Sequence, residues 1–470
     1  MENDEYFFDI DVSKVRVPLI ETHGLDRQLL LHWPEKDEEI TLAWLAARQC
    51  ARMLILDEDS QISAALPFLP ETVSEDILGI LCEAGAMSIA VLERFLHCNL
   101  TRLAIPDGPR FQKNCGVEKE IHLSRACPRL NFLRIADSFP KSQMLAMLKN
   151  HATLEKATLR ISWLQDKHLI ALAQGAPCLV AINVQGAMRV TDISITVVAQ
   201  HCSRLEFVNL NETQVTGASI HVLDCNCPSL GELYIDNSAV TSFCDAKLAS
   251  LTKLHAHFLE DISSCEWQKL LGRLTLMDLR ANGTYAVDAL SQSTAGRCLK
   301  HLHLSYPPKE DMQRPNFSGF LANCSILESI SLKSSFLAND DVQRLTTAAS
   351  ATLRQACFSR CRALTDRACD SLALCHSLVA IDLSWTQISD RGLCSILEHC
   401  RMLEEILLQG CKSCTAQSVG GALTRLGKPP NLILLDCSWC DDFDSDSAET
   451  IAGEFRIAVK DYYGMLHGDD

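Results

Sequence analysis

The sequence predicts an α/β solenoid, a parallel sheet in which each strand is followed by a helix, over most of its 470 residues. Three observations predict it. The series Leu378-x-x-Ile381-x-Leu383 returns 25 positions later as Leu403-x-x-Ile406-x-Leu408. Between the two lies Ile388-Ser389-Asp390 and an apolar run through Leu393, Ile396 and Leu397 at helical spacing. Similar series recur from Leu100 to Leu432 at intervals of 21 to 30 residues, with first core leucines at Leu251, Leu274 and Leu299 among them. A strand-plus-helix unit of this length built on LxxLxL marks a leucine-rich-repeat solenoid. One unit cannot bury its apolar face alone, so neighbouring units stack to cover it. The core leucines point inward and the alternate residues line a curved sheet on the concave face, with helices on the convex face.

Taken in order, residues 1–36 mix charged and apolar types and predict weak order, with Phe7–Val12 readable as a short strand. Residues 37–97 predict a small helical segment. An amphipathic helix starts at Thr41, Leu66-Pro67-Phe68-Leu69-Pro70 interrupts, and a second helix starts at Glu71 with Val73, Ile77, Leu78, Ile80 and Leu81 on one stripe. A third runs from Ile89 to Leu96. Residues 98–440 hold about 14 repeats. Ala157, Ala256 and Ala356 shrink the core locally, and the short unit beginning at Leu230 leaves no room for a full helix. Residues 441–470 are acidic at Asp441, Asp442, Asp444 and Asp446, then read as an amphipathic helix, Ala448–Val459, and a tail that caps the stack.

Composition narrows the function. Hydrophobic residues make up 47%, ample for a long core, and the formal net charge is −16. That balance disfavours a nucleic-acid partner, whose phosphates demand Lys and Arg, and equally an anionic membrane surface. No run approaches the roughly 20 apolar residues that span a bilayer. The acidic start, Met1–Tyr6, lacks the basic-then-apolar order of a secretory signal. With 23 cysteines, an odd number, and no such signal, free thiols in a cytoplasmic or nuclear compartment are expected.

The cysteines are periodic. They fall three residues before the first core leucine at Cys127, Cys202, Cys227, Cys324, Cys375 and Cys400, and three after the last core position at Cys361, Cys411 and Cys440. With Val190-Thr191-Asp192, Leu364-Thr365-Asp366 and Ile388-Ser389-Asp390 after the strands, the chain resembles the cysteine-containing, ribonuclease-inhibitor-like leucine-rich repeats. These are familiar from F-box proteins and from relatives of the antagonist of mitotic exit. Cys411-x-x-Cys414 and Cys437-x-x-Cys440 also have near-zinc spacing. The repeat pattern accounts for three of these four as core thiols, leaving only Cys414 for a metal reading. No catalytic residue and no cofactor is expected.

Two surfaces are candidates for binding. The concave face should present Phe132, Arg134, Phe207, Asn209, Tyr234, His255, Asp278, Arg280, His301, His303 and Asp382 to a protein partner. An arc of roughly 60 Å, at about 4.8 Å per strand, suits a protein better than a small molecule. On this reading His255, Asp278 and His303 share one row on consecutive strands, a conceivable metal or acid–base site without a nucleophile. The second surface precedes the repeats. Leu69-Pro70-Glu71-x-Val73-x3-Ile77-Leu78-x2-Leu81 resembles the opening helix of an F-box, although the Trp and basic residues of its second half are missing from Cys82–Leu96 apart from Arg94. Thr41-Leu42-x3-Ala46-x3-Cys50 and Ile77-Leu78-x3-Cys82 are similar to the elongin-binding helix of VHL-box repeat proteins. The resemblance implies an Skp or elongin adaptor and a cullin as partners, with Leu42, Leu69, Pro70, Ile77, Leu78 and Cys82 at the adaptor. The chain would then be a substrate receptor of a ubiquitin ligase. The alternative is a helical cap over the first repeat, in a plain interaction scaffold.

Overall fold

Leu133 and Ile135 are buried while Arg134 between them is exposed, and the same alternation organises strand after strand. A computed structural model describes residues 50–51, 71–83, 92–93, 95–96, 100–105, 123–137, 139–259, 262–293, 295–305 and 317–468. The chain forms two compact units, one of Met1–Ile161 with Lys167–Leu179, the other of Ser162–Asp166 with Val180–Asp470.

The first unit contributes β1 (Arg102–Ile105), β2 (Phe132–Ala136) and β3 (Lys156–Arg160), paired in parallel and in chain order. Helix Glu71–Glu83 packs beside β1 with Ile77, Leu78 and Leu81 buried. The second unit runs from β4 (Ala181–Asn183) through β5 (Phe207–Asn209), β6 (Glu232–Tyr234), β7 (Lys253–Ala256), β8 (Asp278–Asn282) and β9 (His301–Ser305). It continues through β10 (Ser329–Ser331), β11 (Gln355–Cys357), β12 (Ala380–Asp382), β13 (Glu405–Leu407), β14 (Leu434–Asp436) and β15 (Ala458–Lys460). Neighbouring strands are parallel; β16 (Leu466–His467) then folds back antiparallel on β15. Helices follow most strands, as in Asp192–His201 after β5's predecessor and Asp390–His399 after β12. The architecture is the expected leucine-rich-repeat solenoid.

Two side-chain ladders tie several of the repeats to their neighbours. In the first, an aspartate at a helix start caps the following helix. Asp166 accepts from Thr191 N at 2.9 Å and Thr191 Oγ1 at 2.8 Å, and Asp192 from Thr216 N and Oγ1, both at 2.8 Å. Asp366 accepts from Ser389, and Asp390 from Thr415, in the same way. The Thr191-Asp192 and Ser389-Asp390 pairs are thus both cap and bridge, filling orphan donors at their helix N-termini. In the second ladder, thiols donate to carbonyls one repeat back: Cys227 to Cys202 O at 3.7 Å, Cys400 to Cys375 O at 3.5 Å and Cys361 to Leu332 O at 3.2 Å. A thiol is small and apolar enough for the core yet still offers a weak donor.

Three expectations shift. Leu274 is buried, but β8 pairs Leu279 with Leu254 and Leu302, so the core positions of that repeat are Leu276, Leu279 and Ala281. Both leucines fit the sequence pattern, and only the pairing decides between them. The helix expected over Ala448–Val459 spans Ser445–Phe455; Arg456, left-handed at φ 51°, ends it, and Val459 enters β15. The repeat array therefore continues one unit beyond residue 440. That unit is hidden in the sequence because Asp461, buried and hydrogen-bonded, stands where a core leucine is usual. As expected, no helix forms between β6 and β7.

Candidate functional site

Within the second unit, the open face of β5–β9 gathers most of the expected concave residues. In one row, hydrogen-bonded pairing aligns Phe207, Glu232, Lys253, Asp278 and His301; in the next, Asn209, Tyr234, His255, Arg280 and His303. The expectation that His255, Asp278 and His303 share one row is therefore corrected. Arg280 occupies the position between the two histidines, and Asp278 lies one row aside, a consequence of the two-residue shift from Leu274 to Leu276.

Aromatic contacts knit the patch. Phe207 and Tyr234 have ring centroids 5.2 Å apart, and Tyr234 meets His255 edge-on at 4.3 Å. His257 meets His303 edge-on at 4.6 Å and donates from Nε2 to the His303 carbonyl at 3.3 Å. Tyr234 OH donates to Glu232 Oε2 at 3.0 Å, and Lys253 Nζ stands 3.0 Å from Glu232 Oε1. Burial and the neighbouring Glu232 together push the Tyr234 phenol well above its ordinary pKa, so it stays a donor.

At the centre the polar accounting does not close. His255 Nε2 lies 3.5 Å from Asp278 Oδ2, within ion-pair range but without hydrogen-bond geometry. His255 Nε2 and Asp278 Oδ1 are both buried and lack a hydrogen-bond partner among the described residues. Burial pushes the Asp278 carboxyl up, but His255, Arg280 and His301 outweigh it and hold it below the usual carboxylate range. An unsatisfied buried polar atom costs about 1–3 kcal/mol.

His303 makes the face acid-sensitive. Burial, with His257, Arg280 and His255 nearby, pushes His303 down to about 3. The folded state keeps that ring neutral, whereas the unfolded chain takes up a proton below about pH 6.5. His303's contribution to stability is thus complete above pH 6.5 and is lost as pH falls from there toward 3. Thermal melts should show stability falling by up to about 2 kcal/mol between pH 7 and 5 from this ring, and His303→Gln should flatten the slope. An equally steep slope in the variant would remove His303 as its source.

Other expected site residues lie elsewhere. Phe132 and Arg134 are on β2 of the first unit. Asn209 and Asp382 are buried and turned to the backbone: Asn209 Oδ1 accepts from Asn211 N at 3.0 Å, and Asp382 Oδ1 from Ser384 N at 2.9 Å. Both use these oxygens to shape the exit from their strands. Leu42, Leu69 and Pro70 lie outside the described residues. Cys82 is on helix Glu71–Glu83, where Ile77 and Leu78, 0% and 2% exposed, are spent in packing. Lys253 and Asp236 join the patch as well, although neither is among the candidate site residues that the sequence singles out. Asp236 is held by Asn211 and accepts from His257 N at 2.6 Å, which fixes the start of the His257 turn.

Cys411, Cys414, Cys437 and Cys440 are all buried. Cys411 donates to Leu383 O at 3.2 Å, Cys440 to Leu408 O at 3.1 Å and Cys414 to Ile388 O at 3.8 Å. Burial pushes the Cys440 thiol up to about 12 and the other three upward as well. Among the described residues no three His, Cys, Asp or Glu side chains are grouped as metal ligands.

These features define a leucine-rich-repeat solenoid with a polar, aromatic patch on its open sheet. Among solved structures the chain is similar to a chain of the Rad7 and Elc1 complex of yeast, at 16% identity over 86% of this chain and 90% of that one, with a TM-score of 0.52. It is also similar to an internalin from Listeria monocytogenes, at 16% identity over 68% of this chain and 77% of that one, with a TM-score of 0.38. At 16% identity the yeast structure speaks for the fold alone, and the internalin, at its lower score, adds nothing to it. No family model matches the chain, and no curated protein matches it.

Proposed function

We propose that this chain is a non-enzymatic protein-binding scaffold that holds a protein partner on the open face of β5–β9, and that it acts as the substrate-recognition subunit of a cullin-RING ubiquitin ligase. The carrying observation is the patch around Tyr234, His255, Asp278 and Arg280, where two buried polar atoms lack hydrogen-bond partners among the described residues beside packed aromatic rings. The Arg280 side chain likewise makes no hydrogen bond or ion pair with a described residue. Aromatic and arginine side chains dominate interface energetics, and a partner's polar groups would satisfy the orphan atoms. The ligase half of the proposal draws support from the order of segments, with a helix resembling an adaptor-binding module before the repeats. It also draws on the yeast fold relative, which was solved as a complex of two proteins, Rad7 and Elc1. The compartment would be cytoplasmic or nuclear, in keeping with unpaired thiols.

One observation favours a second reading, a scaffold without a ligase link. Ile77 and Leu78 are buried beside β1, as a helical cap requires. Affinity purification of the full-length chain with mass spectrometry separates the two. Recovery of an Skp or elongin adaptor with a cullin, lost when residues 41–96 are deleted, supports the receptor. A partner list free of all three, and unchanged by the deletion, leaves the plain scaffold.

A further inference from the structure

A second patch, in the first unit, has a different character. The outward positions of β1–β3 are Arg102 and Ala104, Phe132 and Arg134, then Lys156, Thr158 and Arg160. Pairing aligns Arg102, Phe132 and Lys156 in one row, with Arg134 beside Thr158 in the next. All four cations are exposed, and no carboxylate shares these positions. Arg102 Cζ lies 4.8 Å from the centre of the half-buried Phe132 ring. The side chains of Arg134, Lys156 and Arg160 make no hydrogen bond or ion pair with a described residue. Such a group of cations is the reverse of the chain as a whole, whose net charge is −16.

We propose that this face docks a short acidic peptide segment of a partner protein. Like charges at this density cost energy in the free protein, and an anionic ligand relieves it. Guanidinium groups pair carboxylates with two parallel hydrogen bonds, and Phe132 adds an apolar contact between the charges. The size selects a peptide. Three strands span about 10 Å, and alternate side chains of an extended segment recur about every 7 Å, so two or three carboxylates match the cations. A nucleic acid would need on the order of 6–10 phosphate contacts and would extend past the patch against the chain's overall negative charge.

The test uses the full-length protein and a fluorescein-labelled hexapeptide alternating Asp and Glu, followed by anisotropy, with the Asn/Gln peptide as control. The acidic peptide should bind and the neutral one should not. Affinity should fall as salt rises from about 50 to 200 mM. Combined Arg134→Glu, Lys156→Glu and Arg160→Glu should weaken binding at least about tenfold, which is about 1.4 kcal/mol. The milder Gln replacements at the same positions should give a smaller loss at an unchanged melting temperature. Reversing the exposed Arg204, Lys247 and Arg297 should change nothing. Undiminished peptide binding by both patch variants would overturn the proposal. So would failure to bind the peptide alongside patch-dependent binding of a single-stranded oligonucleotide or of phosphatidylserine vesicles.

Discussion

Leu383→Ala should lower the unfolding free energy by about 2–5 kcal/mol, while Leu374→Ala should change it by no more than about 0.5 kcal/mol. The residue type is the same and the surroundings differ. Leu383 is 0% exposed and Leu374 is 57% exposed. Leu383 is the third core position of the repeat that carries β12, and its carbonyl also accepts the Cys411 thiol from the following repeat. Truncation leaves a cavity on a seam shared by two units, and a stacked array relaxes poorly around such a void because each unit is braced only by its neighbours. Chemical denaturation of the full-length protein reads the difference. Equal losses at the two positions would mean that Leu383 does not form part of a packed core.

Asp366→Ala should cost about 2–3 kcal/mol even though the residue is only partly buried. Its carboxylate accepts from Ser389 N at 2.8 Å and Ser389 Oγ at 2.7 Å, so one side chain both caps helix Asp390–His399 and couples two repeats. Gly392 makes room for it: a Cβ there would lie 2.5 Å from Asp366 Oδ1. Asp366→Asn keeps one acceptor in place and should lose less than half as much. Were alanine and asparagine equally mild, the aspartate ladder would be ornamental and the repeats would be held by the core alone.

The solenoid was legible because its signal is redundant. A leucine missed in one repeat is recovered from the spacing of the next, and the cysteine and Thr-Asp positions repeat the message. What escaped the sequence is local. Leu274 and Leu276 are equally good core residues on pattern, so the rows of the open face shift by two positions, and Arg280 rather than Asp278 stands between His255 and His303. The last strand escaped because Asp461 replaces an apolar core residue and is satisfied by Ser445, His467 and backbone donors. The strand exits show why their turns are hard to read. Gly186 and Gly410 announce a left-handed residue, but the same place is held by Glu212 (φ 58°), Ser334 (φ 61°), Trp385 (φ 59°) and Trp439 (φ 64°), types that do not advertise it. Site residues were legible as an outward-facing set, and burial then divided them: Asn209 and Asp382 turn to the backbone, whereas Tyr234, Arg280 and His301 remain on the surface.

The central claim is that the open face of β5–β9 holds a protein partner. Its most direct test is the dissociation constant for the partner recovered with the full-length chain, compared between the native protein and a Tyr234→Ala, Arg280→Ala variant. Loss of two anchors of this kind should raise Kd at least about tenfold, or about 1.4 kcal/mol, with the melting temperature unchanged. An unaltered Kd would contradict the account and move the binding surface elsewhere on the molecule.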